Sequence, residues 1–371
     1  MPKIRVLVVD DSVVVRRLIS DALAADANCE VVGTAANGKI ALAKISQVNP
    51  DIVTLDIEMP EMDGLTTLAE IRKTHPRLPV IMFSTISERA ASATLQALTL
   101  GATDYVTKPS GGNIAASLER VREQLIPKVR WFGAAAGVAV AAPPRPGPSP
   151  TAGATKVRTA AAPHVEILAI GCSTGGPNAL TSMLEGLSPT LAVPAVIVQH
   201  MPPVFTRLLA ERLRAHTRLC VNEAKGGESL LPGEIWIAPG DYHMIVRREG
   251  TSRRIALVQS PHENSCRPAV DVLFRSVVEC YGGHTLAVVL TGMGQDGLRG
   301  CEYVREAGGQ VIVQDEATSV VWGMPGFVAN AGLAEAVLPL GEVAGEILRR
   351  VGGRRRLSTE ASGTPRSDSC P

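Results

Sequence analysis

The sequence predicts an α/β protein made of two parallel sheets, each covered by helices on both faces. Three observations carry that expectation. Before residue 130, short apolar runs alternate with helical patterns. A segment dominated by Ala, Pro and Gly, from Gly133 to Pro163, then interrupts all periodicity. After it, the strand, glycine-rich turn and helix theme resumes at Ile167. Strands that are apolar on both faces belong in parallel sheets buried between helices. A chain of 371 residues is long enough for two domains, each with its own core.

In the first half the expected strands are Ile4 to Val9, Glu30 to Thr34, Ile52 to Leu55, Val80 to Ser84 and Tyr105 to Thr107. Helical patterns lie between them at Val13 to Ala24, Lys39 to Val48, Leu65 to Thr74 and Arg89 to Leu100, with a last one from Ile114 to Val129. In the second half Ile167 to Ile170, Ala195 to Gln199 and Leu286 to Leu290 read as buried strands. A helix from Pro177 to Leu187 follows the first of these, with Pro near its first turn. The boundaries expected are a first domain at 1–130, a linker at 131–163, a second domain at 164–352 and a tail at 353–371. The run Ala142-Pro143-Pro144-Arg145-Pro146-Gly147-Pro148 cannot bury enough side chain to offset its ordering entropy.

The net charge is +1 and Lys and Arg are evenly spread, so no nucleic-acid face is expected; Arg354-Arg355-Arg356 reads as a solvated tail. Seven cysteines are scattered without a C-x-x-C pair, which argues against a disulfide framework or a sequence-encoded zinc motif and fits a reducing cytoplasm. Met1 to Asp10 lacks the long apolar stretch of a signal peptide, and no run approaches membrane-span length.

In parallel sheets, sites form beyond the C-terminal strand ends. In the first half those ends carry Asp10 and Asp11, Asp56, Ser84 with Thr85, and Lys108 followed by Pro109. Singly, Asp11 or Ser12 serves as a helix cap and Lys-Pro as a turn. Together, three crowded carboxylates repel unless a cation sits among them, and Mg²⁺ suits oxygen ligands. A carboxylate can also accept a phosphoryl group. With Asp56-Ile57-Glu58-Met59-Pro60-Glu61-Met62-Asp63-Gly64, this half resembles the flavodoxin-like receiver domain of bacterial response regulators, a five-stranded parallel sheet. The resemblance implies Asp56 as phospho-acceptor, Asp10, Asp11 and Asp56 as Mg²⁺ ligands, Ser84 and Lys108 as switch contacts, and Tyr105 as the switch aromatic.

In the second half, Gly171-Cys172-Ser173-Thr174-Gly175 sits on a strand-to-helix turn and fits a nucleophile elbow. A glycine-rich turn also binds nucleotide phosphate, but no Lys closes this loop. If Ser173 is a nucleophile it needs a base and an orienting acid. His200 ends the second strand and Asp296 follows the third, so both reach the rim that carries Ser173. His243, beside Asp241, is the rival base, whereas His216, His262 and His284 fall on a solvent-facing helix, in a loop and at the wrong strand end. Cys172 is a rival nucleophile, although a buried packing role suits it better. The glycine-flanked Met293 can present a backbone N–H to an oxyanion. The order Ser, His, Asp differs from that of α/β-hydrolases. A transcription factor would need a helix-turn-helix with a basic face, and none is visible.

Further motifs are Gln199-His200-Met201-Pro202, Ile237-Ala238-Pro239-Gly240-Asp241-Tyr242-His243-Met244, Arg267-Pro268-Ala269-Val270-Asp271, Leu290-Thr291-Gly292-Met293-Gly294-Gln295-Asp296-Gly297 and Gln314-Asp315-Glu316-Ala317-Thr318-Ser319. With them, the second half resembles the catalytic domain of the chemotaxis protein-glutamate methylesterase/protein-glutamine glutaminase family, a doubly wound, mostly parallel α/β domain. The resemblance implies a triad of Ser173, His200 and Asp296, with Met293 N–H in the oxyanion hole. It also implies chemoreceptor substrates, a chemotaxis-type histidine kinase as phosphodonor, a cytoplasmic setting, no direct membrane insertion and no metal in the hydrolysis.

Overall fold

The computed structural model describes residues 3–108, 113–135, 164–188 and 191–352. Pro109, the linker from residue 136 onward and the tail at 353–371 lie outside the described residues. The chain divides into two compact units, Met1–Pro150 and Thr151–Pro371.

The first unit alternates β1 (Ile4–Val9), α1 (Val13–Ala24), β2 (Cys29–Ala35), α2 (Gly38–Val48), β3 (Ile52–Asp56), α3 (Gly64–Thr74), β4 (Val80–Ser84), α4 (Glu88–Thr99), β5 (Asp104–Thr107) and α5 (Ile114–Ala135). All strand pairs are parallel, in the order β2-β1-β3-β4-β5. β3 and β4 are buried along their whole length, as their unbroken apolar runs require. Ser12, Asn37, Asp63 and Ser87 cap α1, α2, α3 and α4 through their side chains. Of the two caps the sequence offered for α1, Asp11 or Ser12, it is Ser12 that caps. The last helix runs past Arg130 to Ala135, where the sequence suggested that it stops near Val129. Its apolar stripe continues, since Val129 and Phe132 are both buried. Arg130 Nε also donates to the buried Asp26 carboxylate at 2.6 Å.

The second unit contains β6 (Ile167–Cys172), α6 (Gly176–Glu185), β7 (Ala195–Gln199), α7 (Phe205–His216), β8 (Cys220–Glu223), β9 (Glu234–Ile237), β10 (His243–Glu249), β11 (Ser252–Val258), α8 (Val270–Tyr281), β12 (Thr285–Val289), α9 (Leu298–Glu306), β13 (Gln310–Gln314), α10 (Met324–Asn330), β14 (Ala336–Leu338) and α11 (Leu340–Gly352). Seven strands form one sheet in the order β14-β13-β12-β6-β7-β9-β8, and each pairing is parallel. The antiparallel component is separate: β10 and β11 make a hairpin of their own. This hairpin is tied to α8 by the Val246 N–H, which donates to Ser276 Oγ at 3.0 Å.

The winding explains where a site must form. From β6 the chain moves outward to β7 and the edge strand β8, fills the gap between them with β9, then crosses to the other side of β6 with β12 and continues outward through β13 and β14. Adjacent strands that lead away in opposite directions leave a crevice beyond their C-terminal ends. Here that crevice lies at β6 and β12.

The loop after β7 is held against the loop after β9 by a close backbone approach. A Cβ added at Gly240 would lie 2.2 Å from the Pro203 nitrogen and 2.3 Å from the Pro202 carbonyl carbon. Because backbone, not a flexible side chain, fills that space, Gly240→Ala is expected to cost about 1–3 kcal/mol. A fall in the urea midpoint of the second unit's transition, with unchanged slope, checks this.

Candidate active site

Ser173 is the first residue beyond β6, and the register places it opposite the first residue beyond β7. Cys172 pairs with Gln199, so the next pair in register is Ser173 and His200. Parallel strands lie about 4.8 Å apart, which brings the two residues to neighbouring positions on the rim. Thr291 holds the corresponding place beyond β12, and its carbonyl accepts the Ser173 N–H at 3.0 Å.

The turn after Ser173 is built around Gln199. The Gln199 carboxamide donates to the Ser173 carbonyl at 3.0 Å, and its oxygen accepts from Cys172 Sγ at 3.1 Å. A Cβ at Gly176 would lie 1.9 Å from that oxygen, so glycine is required there for space. Gly175, with φ of 79°, turns the chain into α6. Cys172 is fully buried with its thiol turned toward β7, and burial pushes the thiol well above its ordinary pKa. This geometry suits a packing residue, not a nucleophile.

His200 is largely buried and both ring nitrogens have partners. Nε2 lies 2.8 Å from Asp296 Oδ2, and Nδ1 lies 3.5 Å from Cys266 Sγ. Burial pulls the imidazole down, but the Cys266 sulfur and the Asp296 carboxylate outweigh it and leave His200 raised to about 10. Among the described residues, the Ser173 hydroxyl has no hydrogen bond to His200. Catalytic contacts of this kind are often loose before substrate arrives.

Asp296 is fixed from several sides. Its Oδ2 accepts the Val270 N–H at 2.6 Å; its Oδ1 accepts the Asp271 N–H at 3.1 Å and the Asn264 amide at 2.9 Å. The N-cap residue of α8, Ala269, offers no side-chain cap, and Asp296 supplies one from a distant loop. Burial raises this carboxyl, while the His200 bond and the two helix N–H groups lower it further, so it stays ionised. Asp271 braces the same corner, its Oδ1 accepting the Gly297 N–H at 3.0 Å and the Gly300 N–H at 2.6 Å.

The rival base is placed elsewhere. His243 is fully buried; its Nε2 lies 3.0 Å from the Pro261 carbonyl, and its Nδ1 accepts the Ala269 N–H at 3.2 Å. Both nitrogens are committed to backbone. Asp241 turns away to Arg267 at 2.5 Å. The Met293 N–H has no intramolecular acceptor among the described residues and is half-buried on the rim. Sequence reasoning missed Gln199, Asn264, Cys266 and Asp271 as parts of the site. Asp271 closes the quoted Arg267-Pro268-Ala269-Val270-Asp271 motif and falls in the first turn of α8, while Cys266 directly precedes that motif.

In the first unit, Lys108 Nζ lies 2.7 Å from Asp10 Oδ2 and 2.8 Å from Asp56 Oδ2. Burial lowers the Lys108 ammonium, and its bonds to the two carboxylates outweigh that and raise it. Burial, assisted by the charge of Asp10, pushes Asp56 up to about 6 against the Lys108 hydrogen bond. Beyond its charge contact with Lys108, the buried Asp10 Oδ2 has no directed hydrogen-bond partner among the described residues. Ligand atoms of Asp10, Asp11 and Asp56 lie within 4.8 Å of one another. Three carboxylates answered by one ammonium form a compact all-oxygen set that fits a divalent cation such as Mg²⁺. Asp11, Asp56, Glu58, Thr85 and Lys108 line a cleft of about 240 Å³ there.

Ser84 is not joined to that set. Its hydroxyl donates to the Ala90 carbonyl at 3.3 Å and accepts from Thr94 Oγ1 at 2.8 Å, both on α4. Tyr105 is half-buried, with the Lys128 ammonium 5.7 Å from its ring centroid. Burial, with the Asp104 charge, pushes its phenol up.

Removing the Asp296 carboxylate leaves His200 and two buried helix N–H groups unpaired. Asp296→Ala is therefore expected to destabilise the second unit by about 3–5 kcal/mol, and Asp296→Asn by less. Chemical denaturation of both variants checks the order.

Comparison with known proteins identifies the family of both halves. The CheB methylesterase family model matches residues 168–347, and the response regulator receiver domain model matches residues 6–119. A protein-glutamate methylesterase/protein-glutamine glutaminase of Trichodesmium erythraeum is 57% identical over 95% of this chain and 100% of its own length. One from a Nocardioides species is 53% identical over 96% of this chain and 97% of its own. The crystal structure of the Thermotoga maritima CheB methylesterase catalytic domain is 42% identical, covering 50% of this chain and 98% of that chain, with a TM-score of 0.49. The chain belongs to the protein-glutamate methylesterase/protein-glutamine glutaminase family, enzymes of chemotaxis that join a response regulator receiver domain to a CheB methylesterase domain.

Proposed function

We propose that this chain is a serine hydrolase, controlled by phosphorylation, that cleaves γ-methyl esters of glutamate on methyl-accepting chemoreceptors and deamidates selected glutamines. The observation that carries the mechanism is the His200–Asp296 pair, 2.8 Å apart at the sheet's switch point, beside the turn that bears Ser173. Ser173 Oγ attacks the ester carbonyl as His200 removes its proton. Asp296 occupies Nε2, so Nδ1 is the nitrogen that faces this task, the reverse of the familiar serine-protease arrangement. The protonated imidazole then passes its proton to the leaving group, releasing methanol from an ester or ammonia from an amide. Water, activated by the same nitrogen, frees the glutamate. The Met293 N–H and the N-terminus of α6 stabilise the oxyanion.

In this reading residues 1–130 form the phospho-accepting domain, residues 131–163 join it to the hydrolase at 164–352, and residues 353–371 are a tail outside both. A chemotaxis-type histidine kinase donates phosphate to Asp56. Mg²⁺ would be held by Asp10, Asp11 and Asp56, where it would neutralise carboxylate and phosphate charge. Lys108 pairs with phosphate oxygens, and Ser84 turns from α4 toward them, with Tyr105 following. No helix among the described residues is long and apolar enough to cross a membrane. Substrate and phosphodonor both fit a cytoplasmic setting.

Ser173→Ala is expected to abolish ester hydrolysis, while Cys172→Ala retains most of it. His200→Gln should reduce kcat by about 10⁴-fold or more, whereas His243→Gln acts mainly through stability. Steady-state kinetics with receptor substrate decide this, and the opposite ranking of the histidines would transfer the base to His243.

A base works only when unprotonated, so kcat/KM rises with pH through the imidazole pKa. Because that pKa is raised from 6.5 to about 10, the acid limb of the profile should lie above neutrality. Cys266→Ala removes one raising influence and should move the limb to lower pH. A wild-type limb at or below 6.5 would contradict this.

Asp56→Asn should prevent stimulation by a small phosphodonor with Mg²⁺, leaving basal hydrolysis in place. Stimulation of that variant equal to wild type would remove Asp56 as the acceptor.

A further inference from the structure

We propose that His200 and Cys266 form a soft-metal site through which zinc reversibly blocks the hydrolase. The metal site stands on geometry alone; the block rests on His200 being the catalytic base.

Nδ1 of His200 and Sγ of Cys266 lie 3.5 Å apart. Zinc binds imidazole nitrogen at about 2.0–2.1 Å and thiolate sulfur at about 2.3 Å, which at a tetrahedral angle separates the two ligand atoms by about 3.5 Å. The observed separation therefore matches that of two ligands on one zinc ion.

The other side of the ring has the arrangement found behind metal-bound histidines. Its Nε2–H is held by the Asp296 carboxylate, which fixes the tautomer, aims the Nδ1 lone pair and raises its basicity. Ligand atoms of His200, Cys266 and Asp296 all lie within 4.8 Å of one another. Asp296 already serves the N–H groups of α8, so its place is behind the histidine and not on the metal.

Access and selectivity agree with this assignment. Among the described residues, Cys29, Cys172, Cys280 and Cys301 are free but buried, while Cys266 is a free thiol open in part to solvent. One thiolate and one imidazole favour zinc over Mg²⁺ or Ca²⁺. Metal binding needs the thiolate and the neutral imidazole, so it releases protons to water. While the ion is bound, the Nδ1 lone pair cannot take the Ser173 proton. The site is independent of the oxygen-only set at Asp10, Asp11 and Asp56, which suits Mg²⁺.

The test uses the full-length chain in excess Mg²⁺, which keeps the carboxylate set filled, with Co²⁺ as the spectroscopic probe and Zn²⁺ as competitor. The expected result is a near-ultraviolet thiolate-to-cobalt absorption band that Zn²⁺ displaces. It should be lost in Cys266→Ala, Cys266→Ser and His200→Ala and kept in Ser173→Ala. Asp296→Asn keeps both ligands but should weaken the metal by about 10–100-fold. In parallel, Zn²⁺ should stop ester hydrolysis and a chelator should restore it. Absence of the band in wild type, or its persistence in both Cys266 variants, overturns the site and leaves a simple thiol–imidazole hydrogen bond. Metal bound at Cys266 and His200 with undiminished hydrolysis establishes the site but overturns His200 as the base.

Discussion

The second unit depends on one carboxylate. Asp296 sits where the N-terminus of α8, the loop carrying Asn264 and the imidazole of His200 converge, and it accepts hydrogen bonds from all three. An ionised buried carboxylate is costly unless each lone pair is used. Here the helix N–H groups and dipole, a side-chain amide and the imidazole use them together. The same bonds that make the charge tolerable fix the loop after β12 against the start of α8. Structural and chemical demands on Asp296 are met by a single arrangement, so the imidazole inherits its orientation from the packing of the domain.

The first unit shows a looser solution to crowded charge. Two buried carboxylates, Asp10 and Asp56, are bridged by one ammonium. Lys108 answers part of the repulsion, yet Asp56 remains raised to about 6 and one oxygen of Asp10 has no directed donor. A site left short of positive charge attracts a divalent cation or answers strongly to a change of charge, whereas Asp296 is saturated. The contrast is between a carboxylate pair left short of positive charge and a carboxylate whose lone pairs are all used.

His243 and Cys266 show how far local pattern reaches. Both lie near motif residues, and the sequence made His243 the serious rival base. In three dimensions the His243 ring bonds two backbone groups and joins the start of β10 to the loop before α8, a strut role that consumes both nitrogens. Cys266, which no spacing rule singled out, is carried by that loop to the His200 imidazole. A sequence without C-x-x-C spacing argued against an encoded zinc motif. Ligands drawn from segments far apart leave no such spacing to read.

The sequence by itself determined the alternation of strands and helices, because apolar runs of strand length between capped helical periods have one economical arrangement, a parallel sheet buried on both faces. It also determined which residues reach the C-terminal rims of the two sheets: Ser173, His200 and Asp296, and Asp10, Asp56 and Lys108, follow directly from strand ends. The extension of α5 to Ala135 was less legible, since burial of Phe132 depends on what the helix packs against. Only the tertiary structure decided that all seven strands of the second sheet are parallel with the hairpin apart, that His200 presents Nε2 to Asp296, and that Ser84 bonds to α4. Those outcomes rest on contacts between residues distant in the chain. Local propensity and periodicity carry no information about which nitrogen of a ring, or which neighbour of a hydroxyl, the packing will supply.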